Sequence, residues 1–459
     1  MNTNKTLIIS INIAALMVLI DLAAINIALP SIRHHFDISV TQVSLILMTS
    51  MLTATGSSLV MGKLIERINP GKILLIAFLV FGLSTSMTAL CTHFYYIVPI
   101  RAIQGLSEAA LYVTGPALIK KHISKIRQQK EYGIWMMSCG LGISLGPLLG
   151  GLILKYLSWN YVFLINLPLS IIGVYFSLKM MKEIPFEKRE KLKFDYKGST
   201  FSFLFLSFLI IFFNLLSILP IYHYITIITG SLSLFFLWVF IKTEKSVKLP
   251  VIDLKLFRIH NFRLANLGFY LFFFVNVGSR FLRPFYFEEA RGFTSTLSGV
   301  LMMVSPTIML VVSFFTSKFE KVFSTKQLVI SGSVLLSISM LMFSFWDENS
   351  SILFIDFSMV ILGLAMGIYY PTSTQLGMKS LPINNHGTGS AVISISKSFG
   401  KLMGVLIFGL LFQLFFNLLN ENSNFEIINK NKAIHYVFLS AFGVSIINTL
   451  LSFFIKRDD

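Results

Sequence analysis

Asp21, Arg101 and Glu108 each interrupt a long apolar run in the first quarter of the chain, and Lys397 and Lys401 do the same near its end. A charge surrounded by apolar sequence is costly at membrane depth, so it faces a cavity or a partner. A carboxylate in such a place can bind and release protons, and a guanidinium there can pair with it. Asp21 lies roughly 22 Å into its apolar run and Arg101 about 25 Å into its own, counted from the same side at helical rise. A pair between them is expected. Glu108 follows Arg101 by seven residues, so it shares a helix face two turns on. It is less compensated, which makes it a second candidate for proton exchange. Lys397 and Lys401 sit one helical turn apart, about 6 Å along the axis. Like charges that close need an anion or carboxylate as compensation. Asp356 is the nearest candidate acid in that half, but it falls close to the end of its run. Arg280 and Arg283 fall towards the outer end of another run, and Arg283 is expected to snorkel to the interface.

Other chemistries are excluded on context. Gly142-x-Ser144-x-Gly146 fits a hydrolase nucleophile elbow, but that elbow needs a strand, a sharp turn and a helix. Here Trp135-Met136-Met137 and Leu152-Ile153-Leu154 flank it without a break. No Gly-x-x-x-x-Gly-Lys-Ser/Thr loop is present to bind nucleotide. His34-His35 has no cysteine or carboxylate cluster beside it to complete a metal site. Cys91 and Cys139 are isolated and read as packing residues. No cofactor, metal or nucleic-acid partner is expected, and no enzymatic activity.

The stretch Gly142-Ile143-Ser144-Leu145-Gly146-Pro147-Leu148-Leu149-Gly150-Gly151 has a different use. Small residues four apart line one stripe of a helix and admit a second helix at close range. Pro147 removes a backbone donor and bends the segment. A bilayer protein tolerates this, because neighbours and local adjustments satisfy the freed groups. The stretch reads as a packing hinge.

The elements that position these residues are membrane spans. The chain is 55% hydrophobic and 13% charged, against about 25% charged in soluble domains. Apolar runs long enough to span number about fourteen. They centre near Met17, Ser50, Val80, Leu106, Leu145, Ser170, Phe208, Leu232, Phe274, Thr307, Leu336, Leu362, Lys401 and Ser445. The net charge is +17. In a soluble protein that excess would suggest nucleic acid. Here, with the N-terminus placed in the cytoplasm, most cations fall in the inside loops, as the positive-inside rule requires. The alternation holds to the end, so the span count is even and both termini are inside. The first run continues through Asp21 to Pro30, longer than a signal-peptide core, and is read as the first span.

Two charged segments, near 180–198 and 242–263, flank a pair of spans joined by Leu219-Pro220-Ile221-Tyr222. Removing that pair leaves six spans on each side, the pattern of a large transporter fold with its site at the midplane. Residues 1–182 are read as the N-terminal six-helix bundle, 183–261 as cytoplasmic linkers with the inserted pair, and 262–459 as the C-terminal six-helix bundle.

Several motifs carry a resemblance. The first span contains Asp21-x-x-x-x-Asn26-x-Ala28-Leu29-Pro30. Gly62-Lys63-Leu64-Ile65-Glu66-Arg67 follows the second, and Arg101-x-x-Gln104-Gly105 opens the fourth. The Gly-Pro hinge stands in the fifth, and Trp159 to Pro168 opens the sixth with an Asn166-x-Pro168 step. Asp195-Tyr196-Lys197-Gly198 and Leu254-Lys255-Leu256-Phe257-Arg258 follow. Together these resemble the fourteen-span drug:proton antiporter branch of the major facilitator superfamily, over nearly the full length. The resemblance implies an all-α membrane protein of two six-helix bundles and two inserted helices. It also implies a monomer in the bacterial cytoplasmic membrane that exports small molecules against proton entry by alternating access. The departures are Glu66 where that family has Asp, Asn69-Pro70-Gly71-Lys72 where a basic run is usual, and Glu108 where a small residue is usual. In the ninth span, Arg283 and Glu288 replace the Leu and Gln that flank Pro284 and Tyr286.

On this reading Asp21, Arg101 and Glu108 couple protons. Asn26, Gln104, Lys397 and Lys401 line the substrate cavity. Gly142, Gly146, Pro147, Gly150 and Gly151, with Gly62, Glu66 and Arg67, hinge and gate. Two alternatives stand beside it. One is a dedicated exporter of an anionic or zwitterionic metabolite, such as a siderophore. The other is a non-transporting sensor or scaffold, for which the sequence offers no soluble signalling domain.

Overall fold

Apolar runs of this length must close their backbone hydrogen bonds internally, which helices do. The computed structural model describes residues 3–183, 196–216, 222–246, 254–382, 385–420 and 426–456, and these are helical with short turns and no strand. In order the helices are α1 (Thr3–Phe36), α2 (Val40–Arg67), α3 (Pro70–Ala89), α4 (Phe94–His122), α5 (Lys125–Tyr156), α6 (Asn160–Leu164), α7 (Asn166–Glu183), α8 (Tyr196–Leu216) and α9 (Tyr224–Ser246). They continue with α10 (His260–Phe285), α11 (Ser295–Phe319), α12 (Thr325–Ser344), α13 (Ile352–Lys379), α14 (His386–Asn420) and α15 (Glu426–Phe453). A π-helical turn, Tyr286–Ala290, extends α10 just past Pro284.

Each expected span centre falls inside a helix of its own. Ten stretches among the described residues are long and apolar enough to cross a membrane, α6 and α7 counting as one. α4 and α10 fall outside that set and carry Arg101, Glu108, Arg280 and Arg283. Charges that make a span useful also lower its mean hydropathy. Asp195 and the Leu219–Ile221 joint lie outside the described residues.

Polar residues start and stop the helices. Asn69 accepts a hydrogen bond from the Gly71 amide while Pro70 takes the first turn of α3, so this departure from the family pattern is a proline-opened cap. Ser324 and Gln327 form a reciprocal capping box on α12. Prolines at 30, 99, 116, 147, 284, 306 and 371 sit inside helices. Serine and threonine hydroxyls fold back onto preceding carbonyls, as Thr114 does onto Ala110 and Thr85 onto Gly82, so they are satisfied without water.

The chain divides into two compact units. The first holds Met1–Ile38, Leu45–Phe194 and Ser295–Met303; the second holds Ser39–Ser44, Asp195–Thr294 and Val304–Asp459. Within the first, α1 packs along α5, α4 and α7, and α3 packs along α4 and α7. Leu7, Ile11, Phe78, Phe81, Leu111 and Trp135 fill its core. Within the second, α10 packs along α14, α12 lies between α13 and α15, and the α8–α9 pair touches α14 through α8. Large apolar side chains also face outward, among them Leu83, Met87, Leu234 and Trp238. Hydrocarbon explains that pattern where water would not.

Candidate functional site

In the first unit Asp21 projects from α1 with no solvent exposure. Its Oδ2 accepts from Arg101 Nη1 at 3.0 Å and from Gln104 Nε2 at 3.1 Å. Its Oδ1 accepts from Asn166 Nδ2 at 2.7 Å. Three donors converge on one carboxyl, the pattern that satisfies a carboxylate, which can only accept. Arg101 is equally engaged. Nη1 also reaches Gln104 Oε1 at 2.7 Å, Nη2 reaches Ser50 Oγ at 2.9 Å, and Nε reaches the Ile46 carbonyl at 3.1 Å. The structure thus brings together Asp21 and Arg101, and adds α2 and the start of α7.

Glu108 joins at longer range. Its Oε1 lies 4.0 Å from Arg101 Nη2 and accepts no hydrogen bond, although the residue is buried. One guanidinium therefore stands between a carboxyl that is fully bonded and one that is not. Gln104 spends its amide inside this cluster, on Arg101 and Asp21. Asn26 is buried five residues further along α1.

Gly105 makes the geometry possible. A Cβ there would sit 2.4 Å from the Ser50 carbonyl oxygen and 2.0 Å from Thr53 Oγ1, so α4 and α2 approach at backbone distance. Ser50 and Ile46 carry no charge and gave no sequence signal as partners of Arg101. Asn166 and Gly105 did stand inside the quoted motifs.

The hinge stripe faces α1. A Cβ at Gly142 would meet the Leu16 carbonyl oxygen at 2.8 Å, at Gly146 the Ala23 Cβ at 2.6 Å, and at Gly150 the Ala24 carbonyl oxygen at 2.9 Å. These contacts bracket Asp21 along α1. Gly151 faces the start of α11 instead, where a Cβ would meet the Ser295 carbonyl oxygen at 2.3 Å. Pro147 sits within α5, which stays helical through it. Gly62 has ordinary room, with Val113 Cγ1 at 3.7 Å from a built Cβ. The side chains of Glu66 and Arg67 lie outside the described residues.

The second unit repeats the close crossing between α10 and α14. A Cβ at Gly400 would meet the Tyr270 carbonyl oxygen at 2.4 Å, and one at Gly404 the Phe274 carbonyl oxygen at 2.3 Å. The spacing of Gly400 and Gly404 matches that of Gly142 and Gly146, so this crossing too has a signature in the sequence. On this crossing Lys397 Nζ lies 4.2 Å from the Phe269 ring centroid and donates to Thr374 Oγ1 at 3.2 Å. Lys401 Nζ lies 5.3 Å from the Phe273 ring centroid. Among the described residues no carboxylate stands within ion-pair distance of either lysine.

Arg283 does not snorkel as expected. It is 1% exposed, donates to Met359 Sδ at 3.1 Å and Ser305 Oγ at 3.5 Å, and lies over the Phe343 ring. Its position on the inner face of α10, among α11, α12 and α13, overrides its nearness to the helix end. No group of metal-ligating side chains occurs among the described residues.

Comparison with known proteins gives a consistent result. The sequence profile of the Major Facilitator Superfamily matches residues 11–405. A riboflavin transporter, RibZ, of Clostridioides difficile (strain 630) is 24% identical, over 98% of this chain and 98% of that one. A multidrug efflux pump, SdrM, of Staphylococcus aureus (strain N315) is also 24% identical, over 88% of this chain and 89% of its own. Among solved structures, a bacterial homologue of the human lysosomal transporter Spinster superposes with a TM-score of 0.69 at 14% identity, covering 99% of this chain and 97% of that one. The last likeness is one of fold.

Proposed function

The chain belongs to the Major Facilitator Superfamily, and we propose that it is a proton-coupled exporter of small molecules working by alternating access. It is a multi-pass protein of the bacterial cell membrane, and its relatives include multidrug efflux pumps. One observation carries the coupling assignment. Arg101 Nη1 lies 3.0 Å from Asp21, and its Nη2 lies 4.0 Å from Glu108, with all three residues buried.

In this reading Asp21 anchors Arg101 and, through Gln104 and Asn166, ties α1 to α4 and α7. Glu108 offers an oxygen that a proton can occupy without displacing a hydrogen bond. A change of protonation on either carboxyl changes the charge facing Arg101 and redistributes the ties among these helices. That difference between protonation states is what a conformational equilibrium needs in order to respond to a gradient. The glycine stripe on α5 supplies a smooth track for α1. Gly62, Glu66 and Arg67, at the cytoplasmic end of α2, are assigned to gating by their motif. Asn26, Lys397 and Lys401 are assigned to the substrate path.

The proposed topology takes α6 and α7 as one span broken at Ile165. The helices then form fourteen spans with both termini cytoplasmic. Residues 1–182 and 262–459 are the six-span halves, 183–261 carries the inserted pair α8 and α9, and the protein acts as a monomer. Lys397 and Lys401 also favour a narrower reading, a dedicated exporter of an anionic or zwitterionic metabolite.

Everted vesicles test the proposal with a panel of lipophilic cation dyes, organic anions and riboflavin. At least one compound accumulates on a proton gradient, and an uncoupler abolishes the accumulation. Asp21→Asn abolishes it too, at normal membrane abundance. Accumulation that survives the uncoupler rules out proton coupling, and full activity in Asp21→Asn rules out Asp21 as an essential acid.

A further inference from the structure

The second unit holds a ladder of positive charge on aromatic rings that the coupling cycle leaves unused. Phe269 and Phe273 are one turn apart on α10, with ring centroids 6.4 Å apart. Lys397 and Lys401 are one turn apart on α14 and stand over these two rings in register. Gly400 and Gly404 hold the helices close enough for this register. Tyr370 of α13 stacks on Phe273, with centroids 4.7 Å apart and planes 11° apart, and the residue as a whole is half-buried. Arg280 adds a third positive charge within electrostatic reach of both Lys401 and Tyr370.

The two lysines have no carboxylate within ion-pair distance among the described residues. An ammonium over a ring face gains about 0.5–2 kcal/mol. A full ion pair out of water gains more, and like charges one turn apart repel. Both lysines keep part of their surface exposed. An anion answers the charges. A flat ring system answers the rings, because it can stack against the half-buried Tyr370 while its acidic group meets an ammonium. A planar cation would gain the stacking and suffer the repulsion. A saturated anion would gain the charge and lose the stacking.

We propose that Lys397, Lys401 and Tyr370, backed by the buried rings of Phe269 and Phe273, form a binding site for planar aromatic organic anions, and that this is the substrate class the protein carries. The site rests on the reading of the chain as a small-molecule exporter, and it narrows that reading to one class.

The test is equilibrium binding to the purified full chain in detergent, without any gradient, by titration calorimetry. The probes are 2-naphthoate, cyclohexanecarboxylate and 2-naphthyltrimethylammonium. Naphthoate binds saturably, and tighter than either comparison compound. Lys401→Gln and Lys397→Gln each weaken it roughly ten-fold, the scale of one lost charged hydrogen bond. Lys401→Arg keeps it within a few-fold. Tyr370→Leu weakens naphthoate and leaves cyclohexanecarboxylate unchanged. The three-probe comparison on the unmodified protein needs no variant, so a variant that fails to fold does not block the test. Naphthoate binding no tighter than the cation or the saturated acid overturns the proposal, as does binding that neither Lys→Gln change affects. Gradient-driven flux in vesicles is measured separately. Flux without naphthoate binding overturns this site and leaves the exporter reading intact. Binding without flux of any compound does the reverse.

Discussion

Arg101 has one positive charge and two carboxyl groups to serve. Asp21 receives three hydrogen bonds and Glu108 Oε1 none, so the two are not equivalent partners. A buried guanidinium left without a counter-charge costs about 3–5 kcal/mol. Asp21→Asn leaves Glu108 as the compensating charge, and Glu108→Gln leaves Asp21. Each single variant is therefore expected to insert and accumulate normally. The double variant Asp21→Asn/Glu108→Gln strips both and is expected to lose about 3–5 kcal/mol of stability beyond the sum of the singles. Thermal unfolding of the four proteins in detergent checks this. Additive losses would mean that Glu108 does not share Arg101. The sequence made the Asp21–Arg101 pair legible because both residues are charged and at similar depth. It hid Ser50 and the Ile46 carbonyl, because neutral polar groups in a helix usually bond to their own backbone and leave no signature in the pattern; Asn166 stood in a motif, but nothing in the sequence tied it to Asp21.

The crossings α1–α5 and α10–α14 are built on the same device, glycines spaced by four against a partner backbone. At Gly146 a Cβ alone would lie 2.6 Å from Ala23 Cβ, and at Gly404 a Cβ would lie 2.3 Å from the Phe274 carbonyl oxygen. Neither neighbour can give way without moving a helix. Gly146→Leu and Gly404→Leu are each expected to abolish gradient-driven transport in vesicles while membrane abundance stays within two-fold, roughly the effect of overpacking by 1–3 kcal/mol on a protein that still folds. Transport at the parent rate in either variant would show that its crossing does not need close contact. The α5 stripe was legible because proline and a double glycine mark it. The break between α6 and α7 and the π-helical turn after Pro284 each sit beside a proline, Pro168 and Pro284, which removes a backbone donor, but in the sequence neither is taken as a break in its helix. Arg283 shows a limit of local sequence: its nearness to a helix end suggested the interface, while its face of α10 decided its burial.

Over the whole molecule, hydropathy and the placement of cations propose a topology without reference to any contact. Apolar length located the helices, and the positive-inside rule assigned sides. The charges on α4 and α10 lower their mean hydropathy, yet both were still legible as apolar runs, centred near Leu106 and Phe274. The two cysteines make the topology testable. Cys91 lies at the turn between α3 and α4, expected outside after three spans, and Cys139 is buried in α5. A membrane-impermeant maleimide on intact cells is expected to label Cys91, and Cys91→Ser is expected to abolish the signal. Burial pushes the Cys91 thiol up, and the reactive species is the thiolate, so labelling speeds up as pH rises. In the Cys91→Ser background, Asn349→Cys reports the turn between α12 and α13, where Asn349 is exposed. It is expected to label from outside, and Ser124→Cys, between α4 and α5, only after permeabilisation. Labelling at both position 91 and position 349 requires an even number of crossings between them. That holds if α6 and α7 cross once together and α8 and α9 cross once each. An Asn349→Cys protein that labels only after permeabilisation would mean that one of those helices lies along the membrane rather than through it, and the fourteen-span topology would fall.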